Sequence, residues 1–231
     1  MNTNTLERKS SGMDIKKMSM LAMFIALGYI CLFIFRFKVS FLTLEFKDVF
    51  ITMSGFVYGP VAAAVVALTE TLLELVTLSD TGFWGALMNF AGSCAFAVAA
   101  SLIYKFNKSY KSAVIGLVAA VFSMTAVMLV MNLIITPIYT HTDAKTVAGM
   151  IPKLLLPFNL IKGALNASIA FILYKPFSQA LKAIGLLPKS DKFTVNRKSV
   201  IGMLVALAVI VASVVMIFTV FDGSTFEIIK Q

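Results

Sequence analysis

The sequence predicts an all-α integral membrane protein, a bundle of six helices plus one extra C-terminal hydrophobic helix. Of its 231 residues 59%, about 136, are apolar, and the mean hydropathy is +0.92. A helix needs roughly 20 apolar residues to cross a bilayer, so this composition supplies about seven such helices. Only 13% of the residues are charged, and they fall mainly between the apolar runs. These observations exclude a soluble enzyme and a disordered chain.

The apolar runs predict the organisation of the chain. The predicted helices cover about residues 18–35, 48–58, 60–77, 83–104, 112–138, 151–174 and 200–220. The predicted regions are a polar tail over residues 1–17, a six-helix domain over 18–177, a basic linker over 178–199, the extra helix over 200–220 and a short tail over 221–231. The first run is too long for the core of a signal peptide, so we expect it to be retained.

The second and third helices come from one apolar run of about 30 residues, which is too long for a single straight span. Gly59 and Pro60 interrupt this run. Because a proline disfavours helix at the preceding residue, the break separates a short second helix from a third. We expect Asp48 to cap the second helix and Pro60 to occupy the first turn of the third.

The net charge of +9 is explained by membrane topology. Assigned to alternate sides of the membrane, the Lys and Arg residues of the tail and loops divide into thirteen on one side and five on the other. The richer side holds the N-terminal tail, the loop at 105–111 and the stretch from Lys175 to Lys198. Because cytoplasmic loops are enriched in Lys and Arg, the N-terminus is predicted to be cytoplasmic in a multi-pass protein of the cell membrane. Lipid is then the expected surrounding, and nucleic acid is not an expected partner.

Polar side chains within the spans are candidate site residues, because they are costly to leave unpaired in hydrocarbon. Asn159, Lys162 and Asn166 share one face of the sixth span. Lys162 is expected to face a cavity or to pair with Glu70 or Glu74. These two glutamates share a face of the third span, and their position near its end favours a solvated interfacial pair over a proton or cation site.

Two further asparagines and two alanines allow a structural or a functional interpretation. Asn89 and Asn132 lie within the fourth and fifth spans, where an amide can bond a neighbouring helix or a ligand. Ala22 and Ala26 are spaced by four, which suits close helix packing, either within the chain or with a partner.

Several motifs of catalysis are missing from the sequence. It contains no GxxxxGK[ST], GxSxG or HExxH motif, so ATP hydrolysis would require another chain. Cys31 and Cys94 form no CxxC, and His141 is the single histidine, which argues against a metal site and against a disulfide framework. We therefore expect neither an enzyme nor a resident cofactor.

Four motifs, in order, resemble the substrate-binding S components of energy-coupling factor (ECF) vitamin transporters, specifically the riboflavin type. They are LTLEFKDV at 42–49, FVYGPVA at 56–62, MN and TPIY within 131–139, and PFNLIKG at 157–163. The last is the most specific to the riboflavin type. The resemblance covers about residues 18–177.

The resemblance implies a six-helix bundle with a vitamin pocket open to the outside and closed by the loop between the first two helices. It implies riboflavin as the transported substrate, and it implies these substrate-binding residues: Thr43, Leu44, Asn89, Asn132, Asn159 and Lys162. It further implies that Ala22 and Ala26 pack on a transmembrane coupling (T) subunit, which joins two ATP-binding cassette ATPases. Riboflavin is uncharged and presents amide-like groups, which suits a pocket rich in asparagine.

Two features depart from the resemblance. Glu70 stands where relatives often carry a basic residue, and the run over 200–220 is extra. If each span crosses the membrane in turn, this run places residues 221–231 outside the cell. They stay inside if the helix instead lies along the membrane surface. Two other functions remain open, namely an S component for another vitamin and a stand-alone proton-coupled transporter that uses Glu70, Glu74 and Lys162.

Overall fold

A computed structural model of the chain describes residues 15–39, 41–79, 81–183, 197–220 and 226–228. Its elements are α1 (Ile15–Ile34), β1 (Arg36–Val39), β2 (Leu42–Glu45), α2 (Asp48–Tyr58), α3 (Pro60–Thr77), α4 (Gly82–Phe106), α5 (Tyr110–Thr140), α6 (Ala144–Met150), a π-helical turn (Ile151–Leu155), α7 (Leu156–Ala183), α8 (Arg197–Val220) and β3 (Phe226–Ile228). Most of the predicted tails over 1–17 and 221–231, and residues 184–196 of the predicted linker, lie outside the described residues.

The long apolar helices confirm the predicted all-α membrane fold. Six helical segments of the described chain are long and apolar enough to cross a membrane, and α2 is shorter, with 11 residues. At about 1.5 Å per residue α2 is roughly 16 Å long, about half the thickness of the hydrocarbon core.

The structure has the predicted turn between α2 and α3, but it lacks the predicted side-chain cap at the start of α2. Gly59 has a φ of +93°, a left-handed conformation that glycine adopts without a steric penalty, and Pro60 begins α3. The prediction that Asp48 caps α2 is wrong, because α2 has no side-chain cap. The Asp48 carboxylate is buried and instead accepts a hydrogen bond from Ser93 of α4.

The polar segment between α1 and α2 forms a β-hairpin. Strands β1 and β2 pair antiparallel, with Arg36 opposite Glu45 and Val39 opposite Leu42. Strand β3, from the C-terminal end of the chain, pairs antiparallel with β1 to give the order β2-β1-β3. The C-terminal strand therefore lies at the end of the bundle where α1 ends, the same end at which alternation of the spans places it.

Helix α7 extends beyond the predicted sixth span to Ala183, so the first residues of the predicted linker are helical. The ring of Phe177 packs on Phe24 of α1, with centroids 5.3 Å apart, and Leu181 is buried in the core. These apolar contacts explain why the helix continues past Pro176, although proline removes a backbone donor.

Candidate functional site

A cavity of about 190 Å³ lies beneath the hairpin, where α2, α3, α4, α5 and α7 converge. Its polar lining is Arg36, Lys38, Thr43, Asp48, Glu74, Ser79, Thr81, Asn89, Ser93, Tyr139, Asn159 and Lys162. We call residues 36–45 the lid. Pockets for drug-sized ligands measure about 300–1,000 Å³, so this cavity must widen to take a ligand of that size.

One contact between lid and bundle is built around Glu45 at the end of β2. Its Oε1 lies 3.1 Å from the Lys162 Nζ of α7 and 3.3 Å from the Lys47 Nζ. Lys162 also donates to the Thr43 carbonyl at 3.3 Å, and the Asn166 side chain donates to the Glu45 carbonyl at 3.0 Å. Helix α7 is therefore joined to β2 through both side-chain and backbone atoms.

A second contact is built around Glu74 of α3. Its carboxylate pairs with Lys47, lies 3.9 Å from the Arg36 guanidinium of β1, and accepts a 2.9 Å hydrogen bond from Asn89 of α4. Arg36 also donates to the Leu78 carbonyl at the end of α3. Because Lys47 contacts both Glu45 and Glu74, one network links the two strands of the lid to three helices.

The charges of this network are fixed by their neighbours. Burial alone would raise the pKa of Glu45, but Lys162 and Lys47 together lower that pKa to about 2. Burial would lower the pKa of Lys47, yet the Glu45 and Glu74 carboxylates raise that pKa above its ordinary value. Glu45 and Lys47 are therefore both ionised at neutral pH.

Four of the six substrate-binding residues implied by the resemblance line the cavity, namely Thr43, Asn89, Asn159 and Lys162. The other two lie behind its wall. Leu44 packs in an apolar cluster under the lid, and the Asn132 amide donates to the Met128 carbonyl and accepts from Thr136, both within α5. Ligand contact by each of the six stays a prediction.

The structure corrects what was expected of the glutamates. Lys162 faces the cavity, but its ionic partner is Glu45 and not Glu70 or Glu74. The prediction of a solvated interfacial pair is wrong, because Glu70 is 0% and Glu74 3% exposed. Glu70 packs against Gly28 of α1, and its carboxylate oxygens have no hydrogen-bond partner among the described residues.

The sequence patterns assign no site role to Arg36, Glu45 and Lys47, although the last two lie in the LTLEFKDV motif. A signal was present in the alternation of polar and apolar residues in RFKV (36–39) and LTLE (42–45). Such a period of two is typical of strands with one buried face. It predicts a hairpin, although it does not reveal the partners of the charged residues.

The sequence matches the family model of the ECF transporter substrate-specific component over residues 16–174. The chain belongs to this family. It is thus an S component, a multi-pass membrane subunit of a transporter.

Two relatives and one solved structure are similar to this S component. It is 32% identical over 188 residues to the riboflavin transporter RibU of Staphylococcus aureus (strain TCH60), across 77% of this chain and 98% of that protein. It is 28% identical over 180 residues to the riboflavin transporter FmnP of Bacillus subtilis (strain 168), across 71% of this chain and 95% of that protein. A solved S component of a bacterial ECF transporter aligns with this chain at a TM-score of 0.62 and 32% sequence identity. The alignment covers 72% of this chain and 98% of that structure.

The two alanines on α1 lie on the outer surface of this S component. Ala22 and Ala26 are both exposed, on the face opposite the buried Phe24 and Gly28. Packing within the described chain therefore does not account for their spacing. The face remains open to a partner.

Proposed function

We propose that this S component captures riboflavin outside the cell for uptake by an ATP-driven ECF transporter. The observation that carries the proposal is the position of PFNLIKG, whose Asn159 and Lys162 line the cavity, in a chain that aligns with riboflavin transporters over nearly their full length. The proposed substrate-binding residues are Thr43, Asn89, Asn159 and Lys162, with Leu44 and Asn132 supporting the wall.

The chemistry of the cavity suits an uncharged ring system with polar edges. Met88, Met124, Met128 and Phe158 line it alongside the amides of Asn89 and Asn159. Thioether and aromatic side chains contact ring faces well, and amides can pair the imide-like edge of a flavin. The carboxylates of Glu45 and Glu74 are already paired with cations of this chain, so a neutral ligand leaves the network intact.

The proposed partners are a transmembrane T subunit and two ATP-binding cassette ATPases. A strip of small side chains at Ala22 and Ala26 permits close approach of a partner helix. The sequence has no phosphate-binding loop of its own, so ATP hydrolysis belongs to other chains. Under the charge rule the N-terminus is cytoplasmic, and the lid then faces outside.

The proposal is tested by titrating the purified protein in detergent with riboflavin and following flavin fluorescence. We expect saturable quenching at one flavin per chain, with no competition from excess thiamine or biotin. Competition by either vitamin would point to an S component of other specificity. Absence of quenching would reject riboflavin as the ligand.

A transport measurement tests the partners. Cells that require external riboflavin and express the S component should take it up only when a T subunit and ATPases are co-expressed. Uptake without them that follows an imposed proton gradient would instead favour the stand-alone transporter.

A further inference from the structure

The C-terminal part of the chain lies beyond the matched family region. The family match ends at residue 174, and RibU of S. aureus is covered over 98% of its length by only 77% of this chain. Helix α8 and strand β3, which begin at Arg197 and Phe226, are thus additions to the S component.

Helix α8 packs against α7 and shares an apolar cluster with residues of the lid. Ile217 is 5% exposed, whereas its neighbours Val215 and Phe218 are 53% and 57% exposed. Ile217 belongs to the apolar cluster that contains Val39 and Leu44 of the lid. One side of α8 therefore packs on α7 within the apolar cluster that also holds these lid residues, and the other side is free to face lipid.

Strand β3 extends the lid into a three-stranded sheet. Its residues Phe226, Glu227 and Ile228 lie opposite Val39, Lys38 and Phe37 of β1. A two-stranded hairpin is marginally stable by itself, and a third strand stabilises it. Strand β1, which carries Arg36 and lines the cavity mouth, becomes the middle strand.

We propose that α8 and β3 form a strap that holds the lid over the flavin site and slows ligand exchange. Opening the lid must either separate β1 from β3 or draw the strap away from α7, the helix that carries Asn159 and Lys162. Between Val200 and Thr219, the part of α8 whose side chains the structure describes, no residue lines the cavity. The strap therefore changes the rates of binding and release together, and the equilibrium affinity less. This inference rests on the proposed function for the identity of the ligand.

A shortened chain and a point variant test the strap. Ending the chain after Val220 removes β3 and keeps α1 to α8. Riboflavin release should then be about tenfold faster, the effect of losing one or two net backbone hydrogen bonds. Ile217→Ala should also accelerate release, while Val215→Ala, a matched change on the exposed side of α8, should stay within about twofold. Release from the shortened chain within about twofold of the full chain would overturn the strap.

A disulfide tests the same contact in the full chain. Phe37 and Ile228 are directly opposite, and opposed residues of antiparallel strands have Cα atoms about 4.5–5.5 Å apart, a distance that a disulfide spans. With Cys31→Ala and Cys94→Ala as background, Phe37→Cys with Ile228→Cys should crosslink on oxidation and slow release, and a reductant should reverse this. Failure to crosslink would overturn the pairing.

Hydrogen exchange of the lid amides separates the strap from the identity of the ligand. Without any ligand, residues 36–45 should exchange faster in the chain that ends after Val220 than in the full chain. Equal exchange would overturn the strap whatever the ligand. Faster exchange in a protein that fails to bind riboflavin would reject the proposed function and leave the strap in place.

Discussion

Replacing Glu45 by glutamine should loosen the lid, and it should weaken flavin binding because Lys162, which lines the cavity, loses its ionic partner. The substitution keeps the shape of the side chain and removes the charge that Lys162 and Lys47 share. At 3.1 Å and an effective dielectric constant of about 20, the gross attraction between Glu45 and Lys162 is about 5 kcal/mol. The cost of desolvating the two ions offsets part of this attraction. In the variant Lys162 also keeps its hydrogen bond to the Thr43 carbonyl. The net loss is therefore about 1–3 kcal/mol, or roughly 5- to 150-fold in Kd.

The assay is a fluorescence titration with riboflavin, supported by thermal unfolding in detergent. Asp143→Asn is the matched control, because it makes the same chemical change at an exposed carboxylate near the start of α6. Lys162→Gln added to Glu45→Gln should cost less than the sum of the two single changes, since the residues are in contact. A Kd within about twofold of the unaltered protein for Glu45→Gln would refute the claim that this network holds the lid.

Three further predictions concern the partner, the cavity wall and pH. Ala22→Leu should abolish riboflavin uptake and leave flavin binding intact, because the larger side chain blocks close approach of the partner helix. Ala208→Leu, on the exposed side of α8, should change neither uptake nor binding. Loss of both uptake and binding in Ala22→Leu would indicate misfolding. In flavin titrations Asn159→Ala should weaken binding by about 1–3 kcal/mol. Asn132→Ala should mainly lower the unfolding temperature, because the hydrogen bonds of the Asn132 side chain lie within α5. A larger loss of binding in Asn132→Ala than in Asn159→Ala would place Asn132 in the site. The Glu45 pKa is lowered to about 2, so its stabilisation is complete above its unfolded pKa of about 4.3 and declines as pH falls through 4 toward 2. Riboflavin titrations between about pH 5 and pH 2 should show binding weaken as the pH falls. A loss of binding between about pH 7 and pH 5 would contradict the lowered pKa of Glu45.

The sequence was sufficient for features that depend on local spacing. The break at Gly59 and Pro60, the short α2 and the shared face of Asn159 and Lys162 follow from helix geometry and the restrictions that proline imposes. The small-residue spacing of α1 was ambiguous until exposure showed that Ala22 does not pack within the described chain.

Features that depend on distant pairing could not be read from spacing. Glu45 and Lys162 are separated by 117 positions, and nothing in either segment specifies the other. The position of Glu74 could not be predicted for the same reason, since its partners are Arg36 of the lid, Lys47 and Asn89 of α4. The strand at 226–228 is defined by its pairing with β1, which hydropathy does not reveal.

The identity of the small molecule that the protein retains during purification tests the central claim most directly. Protein isolated in detergent from cells supplied with riboflavin should be yellow. After denaturation it should release close to one equivalent of a compound with the absorption and mass of riboflavin. Release of a different vitamin, or colourless protein that also leaves the fluorescence of added riboflavin unchanged, would contradict the account.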